Sequence, residues 1–137
     1  MINIKTKSIQ EKKSKTDGIR ICVMRRIRPD YNFDLWIPSL APSEILLKKY
    51  VIDKTMSWNT FSQLYTRQVL QKQKQLINTL IYLSKRFRVT LLCQEKSATR
   101  CHRSLLLTEC KRLISKNCTK PSKLIKYLSE IQKKEDK

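Results

Sequence analysis

The sequence predicts an α/β protein in which a small parallel or mixed sheet is covered by helices. Two short β-prone runs, residues 19–24 and 88–93, are each followed by segments whose apolar residues recur at the helical period. The second run is apolar throughout and flanked by charge, as buried parallel strands usually are. An order of strand, helix, strand, helix is typical of one compact sheet with helices packed on it.

The chain before the first run is expected to hold a strand and a loop. Ile2 and Ile4 alternate with polar residues over residues 1–7, which predicts a short edge strand. Residues 8–17 are polar and rich in lysine, and they predict a loop. Gly18 is the only glycine of the chain, so we expect a backbone turn there into the next strand.

Helices are predicted after a long irregular segment that prolines punctuate up to residue 40. Pro42, Ser43 and Glu44 open a short helix. Ser57 suits the N-cap of a long helix, and we interpret its apolar positions as core residues rather than ligand contacts. These positions keep a period near 3.6, and they are Trp58, Phe61, Leu64, Tyr65, Val69, Leu76, Ile77, Leu80 and Ile81.

The C-terminal third predicts two more helices. One begins at Cys101 or His102 and ends at Ile114, and the other follows Pro121. A length of 137 residues fits one domain. We expect an N-terminal strand and lysine-rich loop over residues 1–17, a single α/β domain over 18–132 and a charged tail over 133–137.

The composition favours a cytoplasmic, reducing environment. No apolar run is long enough to span a membrane, and the N-terminus lacks the apolar stretch of a secretory signal. An odd number of cysteines without close pairing argues against a secreted disulfide framework. We therefore expect reduced thiols, most of them buried packing residues, at Cys22, Cys93, Cys101, Cys110 and Cys118.

The formal net charge of +19 predicts attraction to anions. The expected partner is an anionic ligand, with DNA and RNA among the candidates, and no membrane is expected to be a partner. Lysine enrichment by genome composition explains the charge equally well. Aromatic residues make up only 7% of the chain, so the charge indicates general anion affinity rather than base recognition.

The candidate site lies between the end of the second predicted strand and the start of the helix that follows it. Cys93 and Glu95 follow the apolar run, and Cys101, His102 and Arg103 begin the next helix. Sites of open α/β sheets usually lie at such junctions. The right-handed crossover rule places the ends of both predicted strands at one edge, which would bring Arg25 close to this group.

These residue types suggest an enzyme that acts on a phosphate-bearing or nucleic-acid-derived substrate. Arg25 and Arg103 are candidates for holding an anion beside the helix start. Glu95 and His102 are candidate acid/base groups, and Cys93 or Cys101 is a candidate nucleophile. A helix start and nearby cations would lower the pKa of the Cys101 thiol. A buried Glu95–Arg103 pair that only locks the loop is the competing interpretation.

Three other functions stay open. A basic nucleic-acid-binding module would use the surface charge and keep the cysteines structural. We expect no cofactor, because the spacing C-x7-C-H is not that of a zinc finger and adjacent Cys101 and His102 rarely point to one ion from a helix. A zinc site built from Cys93, Cys101 and His102, with Cys22 or Glu95 as a further candidate ligand, is a less favoured alternative. A redox role lacks a C-x-x-C motif, but Cys22 would serve as a resolving thiol if it faces the site.

The sequence also resembles the family known as domain of unknown function 488. The resemblance implies a compact α/β domain without an established activity. Many members carry an acidic residue before the arginine matched by Arg25, whereas this chain has Met24. The matching pieces are the C-x-E…CHR pattern of residues 93–103, GIR at 18–20 with Arg25, DLWIP at 34–38, LAPS at 40–43, and Trp58, Phe61 and Tyr65.

Overall fold

The computed structural model of the chain describes residues 3–94 and 101–114. Its strands form one four-stranded sheet, in which all neighbours are parallel and the order is β1-β4-β2-β3. The predicted α/β class with helices packed on a small sheet is confirmed. The strands are β1 (Ile4–Ser8), β2 (Ile19–Cys22), β3 (Leu35–Trp36) and β4 (Val89–Cys93).

The strand β4 lies in the centre of the sheet and is buried along its whole length. It pairs with β1 on one side and with β2 on the other, so the carboxyl ends of these three strands share one edge. The predicted edge strand at the N-terminus and the shared edge are both confirmed. Because β3 has only two residues within the proline-punctuated segment, its sequence pattern did not reveal it.

Gly18 makes the turn into β2, as the sequence predicts. Its φ of +64° lies in the left-handed region, which glycine adopts without strain. A Cβ atom at this position would lie 2.1 Å from the carbonyl oxygen of Arg88. The amide of Ile19 donates to that same oxygen at 2.8 Å, so Gly18 lets β2 approach the start of β4.

Serine side chains begin two of the helices. Ser43 caps α1 (Glu44–Leu47) by accepting from the amide of Leu46, and Ser57 caps α2 (Trp58–Tyr65) by accepting from Thr60. Both predicted helix starts are confirmed. Single π-helical turns extend these helices over Lys48–Ile52 and Thr66–Leu70, and the remaining helices are α3 (Lys74–Arg86) and α4 (His102–Leu113).

The prediction of one long helix after Ser57 is wrong, because the chain breaks between α2 and α3. The π-helical turn places both Val69 and Leu70 in the core, and Gln73 then leaves helical geometry with φ −104° and ψ 40°. The change of direction lets α3 pack on α4 and β4, while α2 packs on α1 and α4. No glycine or proline marks the break, so the helical period runs through it without a signal.

The core lies between the helices and the sheet face that carries Ile21, Val89 and Leu91. Among residues 3–94 and 101–114, no helix is long and apolar enough to cross a bilayer. The helix expected after Pro121 and the charged tail lie outside the described residues. The proposed division of the chain into segments stays a prediction, although β1 belongs to the same sheet as the other strands.

A buried ion cluster occupies the other face of the sheet, beside the start of β2. The carboxylate of Asp17 lies 3.0 Å from the ammonium groups of both Lys5 and Lys7, and it pairs with the buried guanidinium of Arg20. Burial alone would raise the pKa of Asp17. The amide of Ser14 and the three cations outweigh it and hold that pKa well below its usual range.

Candidate functional site

The end of β4 and the start of α4 bring two thiols into contact. Cys93 is the last residue of β4, and Cys101 is the N-cap of α4 with an extended backbone of φ −124° and ψ 146°. The two sulfur atoms lie 3.0 Å apart, and Cys101 donates to Cys93. Both thiols are buried. The structure therefore joins the two predicted nucleophile candidates into one pair.

The imidazole of His102 faces this pair with one particular nitrogen. Its Nδ1 lies 3.7 Å from Cys93 Sγ and 3.8 Å from Cys101 Sγ. Its Nε2 lies 2.7 Å from the carbonyl oxygen of Val23. Because a carbonyl only accepts, Nε2 carries a hydrogen, and in the corresponding neutral tautomer the lone pair of Nδ1 faces the sulfur atoms.

The extended backbone of Cys101 explains how adjacent side chains converge. The side chains of two consecutive helical residues point about 100° apart around the helix axis. For this reason the sequence disfavours one metal ion bound by both Cys101 and His102. Cys101 lies outside the helix as its N-cap, so its side chain turns back towards β4 and meets His102 Nδ1. The sequence argument against convergence is wrong because it placed both residues inside the helix.

Tyr65 supports the imidazole from α2. The two rings meet edge to face with centroids 5.6 Å apart. The Tyr65 hydroxyl donates to the carbonyl oxygen of Leu40 at 2.7 Å, and burial keeps the pKa of that hydroxyl well above its usual range. The sequence predicts Tyr65 only as a core residue. No local pattern shows that this core position also touches the histidine.

Arg103 is buried and contacts the backbone of Cys93. Its side chain is 1% exposed, and its Nη1 donates to the carbonyl oxygen of Cys93 at 3.2 Å. Within the described residues its Nε has no hydrogen-bond partner. These contacts favour a role in fixing the end of β4, and the predicted role as an anion ligand stays a prediction. Glu95, the other half of the predicted Glu95–Arg103 pair, lies outside the described residues.

The thiols of the pair have different roles. The hydrogen bond to Cys93 and then burial raise the pKa of Cys101, and the nearby Arg103 only partly opposes them. The expectation that the helix start lowers the pKa of Cys101 is therefore wrong. In the hydrogen bond between the two thiols, Cys101 is the donor and Cys93 is the sulfur that accepts.

The remaining described cysteines do not belong to the pocket. Burial raises the pKa of Cys22 to about 11 and that of Cys110 to about 12. The register pairs Cys22 with Leu92, so its side chain lies on the opposite face of the sheet from Cys93. Cys22 does not face the site, and the predicted role as its resolving thiol is wrong.

The pocket opens into a basic cleft with a volume of about 1480 Å³. Cys93, Cys101 and His102 all line this cleft. Among the described residues along it, Glu44 is the single carboxylate, and it pairs with an arginine at 2.6 Å. The cationic side chains along the cleft are Arg25, Arg26, Arg28, Lys48 and Lys54. The charged side chains that line the described part of the cleft are therefore mostly cationic.

An aromatic cluster forms part of the cleft wall. The ring of Tyr50 stacks on Phe61 with centroids 4.5 Å apart, and Trp58 lies 5.5 Å from Phe61. Trp58 and Tyr50 are half-buried and line the cleft while also packing against the core. The interpretation of Trp58 as a core residue is thus incomplete. The π-helical turn that positions Tyr50 has no recognisable sequence signal.

Arg25 reaches the cleft as predicted, but part of its guanidinium is already engaged. Its Nε donates to the carbonyl oxygen of Pro42 at 3.1 Å, and its Nη2 donates to that of Ala41 at 3.2 Å. These bonds hold the guanidinium plane beside the LAPS segment. Anion binding by Arg25 stays a prediction.

Comparison with known families identifies the chain. The family model described as the active DUF488-N3 subclade matches residues 4–112. Neither a curated protein nor a solved structure matches at a significant level. The matched range contains the thiol pair, His102, Arg103 and Arg25, and it confirms the resemblance carried by the CHR motif. The chain therefore belongs to the DUF488 family.

Proposed function

We propose that this protein is an enzyme acting on a phosphate-bearing or nucleic-acid-derived substrate, with Cys93 as nucleophile and His102 as its base. The observation that carries the proposal is the approach of Cys93 Sγ to His102 Nδ1 at 3.7 Å, with the opposite ring nitrogen bonded to Val23. A nucleophile next to a base that a third group orients is the general arrangement of covalent catalysis.

The first step is a proton transfer inside the pocket. Cys93 gives its proton to His102 Nδ1, which leaves a thiolate and an imidazolium. The imidazolium keeps its bond from Nε2 to the carbonyl oxygen of Val23. Cys101 keeps its proton and donates to the Cys93 sulfur, which stabilises the thiolate. Catalytic hydrogen bonds are often long without substrate, so a sulfur–nitrogen distance of 3.7 Å suits this role.

The second step is attack on the substrate. A bond forms between Cys93 Sγ and the electrophilic atom while the bond from that atom to the leaving group breaks, and the leaving group takes the proton from His102 Nδ1. Water then attacks the same atom and gives a proton to the imidazole, and the bond to sulfur breaks to release the product. The Cys93 thiolate finally takes the proton back from the imidazolium. Glu95 remains a candidate for a second acid/base group in this cycle.

The cleft supports an anionic substrate with a planar part. Its cations compensate negative charge, and a phosphate group matches the fork of a guanidinium such as that of Arg25. The half-buried rings of Tyr50 and Trp58 offer faces on which a nucleobase would stack. Cations and aromatic rings that line the same cleft support a ligand with both a phosphate and a base.

A trapping experiment tests the proposal. Nucleotides, dinucleotides and short oligonucleotides are incubated with the protein, and product formation and intact mass are followed together. We expect a covalent adduct on Cys93 and a loss of turnover of about 100-fold or more in Cys93→Ser and in His102→Gln. Cys110→Ala, a cysteine outside the pocket, is the matched control. Full turnover by Cys93→Ser on every substrate found contradicts the proposal.

A second candidate function is a basic nucleic-acid-binding module. The net charge of +19 and the cationic cleft favour it. This function predicts an affinity for single-stranded DNA or RNA whose logarithm falls linearly with the logarithm of the salt concentration. It also predicts equal affinity for wild type and Cys93→Ser. Binding without turnover in both proteins would favour the module over the enzyme.

A further inference from the structure

We infer that Cys93 Sγ, Cys101 Sγ and His102 Nδ1 form a binding site for one thiophilic divalent cation of the zinc type. The three atoms lie within 4.8 Å of one another, and all three residues are buried. Sulfur and imidazole nitrogen are the ligands that zinc prefers in proteins. The inference rests on this geometry alone and not on the proposed enzyme activity.

The distances suit a tetrahedral ion. Bond lengths of about 2.3 Å to sulfur and about 2.0 Å to nitrogen require sulfur–nitrogen separations of about 3.6 Å and a sulfur–sulfur separation of about 3.8 Å. The observed sulfur–nitrogen distances are 3.7 and 3.8 Å. Only the sulfur–sulfur distance of 3.0 Å must widen. Cys101 can supply that movement by rotating its side chain, since its N-cap position lies outside the helix.

The histidine is already oriented as a ligand. Metal-binding imidazoles usually donate their other N–H group to a carboxylate or a backbone carbonyl, which fixes the tautomer. The bond from His102 Nε2 to the Val23 carbonyl oxygen provides that contact at 2.7 Å. Tyr65 packs against the same ring and restricts its rotation. The lone pair of Nδ1 therefore faces the sulfur atoms before any ion arrives.

The fourth position of such an ion faces the cleft. All three ligand residues line the cleft, whereas Cys22 lies across the sheet and is not available as a fourth ligand. Structural zinc sites are usually closed by four protein ligands, and sites with three keep a position for water or substrate. Among residues 3–94 and 101–114 no fourth cysteine, histidine or carboxylate joins these three, so the described part of the chain indicates an open, exchangeable site rather than a structural one.

A bound ion would compete with thiol chemistry. It would take the Cys93 thiolate and the lone pair of His102 Nδ1, which are the two groups that the proposed mechanism needs. Under that mechanism the ion would act as an inhibitor that leaves the pocket when metal is scarce. This consequence, unlike the site itself, rests on the proposed function.

Cobalt titration of metal-free protein tests the site. We expect one equivalent of Co²⁺ to bind and to give thiolate-to-cobalt charge-transfer absorption with the visible bands of a tetrahedral ion. Cobalt binding should release the two thiol protons, which a pH indicator can measure, and zinc should then displace the cobalt without further proton release. Cys93→Ser and Cys101→Ser should each weaken the charge-transfer band and lower the affinity by at least about tenfold. Cys110→Ala should keep the wild-type spectrum.

A second readout uses the wild-type protein and needs no variant. Zinc should protect Cys93 and Cys101 from alkylation in the folded chain and leave the reactivity of Cys22 and Cys110 unchanged. Absent cobalt absorption in folded wild type, or an absence of zinc protection at these two thiols, overturns the inference. Zinc binding together with undiminished turnover would leave the site standing and contradict only the inhibitory role.

Discussion

Two buried polar groups lie on opposite faces of the sheet, and they differ in how completely they are paired. Asp17 on one face has three cationic partners and the amide of Ser14. On the other face, Cys93 and Cys101 share one hydrogen bond, and the Nε of Arg103 has no partner among the described residues. Both carboxylate oxygens of Asp17 are paired, as expected of a group that stabilises a fold. The second group includes a buried guanidinium nitrogen that no described residue pairs, which calls for a further explanation.

The two groups also respond to burial in opposite ways. Cations keep Asp17 ionised despite its burial, so its pKa falls. The Cys101 thiol donates to a neighbouring sulfur and is buried, so its pKa rises and it stays neutral. Burial thus accompanies an ionised carboxylate on one face of the sheet and a thiol with a raised pKa on the other. The predictions below separate these two roles.

The largest expected effect belongs to the ion cluster. Asp17→Asn leaves Lys7 and Arg20 without their carboxylate in a buried place, and we expect the free energy of unfolding to fall by about 3–5 kcal/mol. Urea denaturation measures this loss. Asp30→Asn, which breaks an exposed pair with Arg28, should change it by less than about 0.5 kcal/mol. Equal effects of the two substitutions would show that the cluster does not hold the fold.

Acid should destabilise the protein through the same carboxylate. The pKa of Asp17 is lower in the folded than in the unfolded chain, so its contribution is complete above the unfolded value of about 3.9 and is lost as the pH falls below it. Between pH 6 and about pH 3, the free energy of unfolding should decrease more steeply with falling pH in wild type than in Asp17→Asn. The same slope in both proteins contradicts the assignment.

High pH should destabilise the protein through the buried thiols outside the pocket. The pKa values of Cys22 and Cys110 are about 11 and about 12 in the folded chain, above their unfolded values. Their contribution is therefore complete below about pH 8.5 and is lost as the pH rises towards the folded values. Each thiol adds at most about 1.4 kcal/mol per pH unit to this loss. In Cys110→Ala the free energy of unfolding should fall less steeply with rising pH. The same dependence on pH as in wild type would contradict a pKa of Cys110 raised by burial.

The smallest expected effect concerns the cleft. Lys48→Ala removes one cation from the wall, and we expect the affinity for a nucleotide to fall about three- to tenfold at low salt. Lys13→Ala, an exposed lysine that does not line the cleft, is the matched control and should change it less than twofold. Equal losses in the two variants would mean that general surface charge attracts the ligand.

The sequence reveals much of the fold because its signals are local. The uninterrupted apolar run marks β4, Ser57 marks the start of α2, and the crossover rule places the ends of β2 and β4 together. The sequence does not predict the break between α2 and α3, because the chain leaves helical geometry at Gln73, after a π-helical turn, without glycine or proline. The sequence does not predict the strand β3, because two residues make no periodic pattern.

The site is less accessible to sequence reasoning than the fold. The CHR motif identifies the segment, but the state of the Cys101 proton depends on its partner across the pocket. The orienting partner of His102 is a backbone carbonyl, which any residue at position 23 would supply. The aromatic part of the cleft wall contains Tyr50 and Trp58, and the π-helical turn that positions Tyr50 has no recognisable sequence signal. These features depend on tertiary geometry, which a single sequence does not display.

The central claim is that the pocket thiols form a chemical site and the other cysteines do not. The most direct measurement is the alkylation rate of each cysteine in native protein across a pH series, resolved by mass spectrometry. We predict that Cys93 reacts at least about tenfold faster than Cys22 and Cys110 near neutral pH, and that His102→Gln removes this advantage. If Cys93 in the folded protein reacts as slowly as Cys22 and Cys110, the pocket is packing and the claim is wrong.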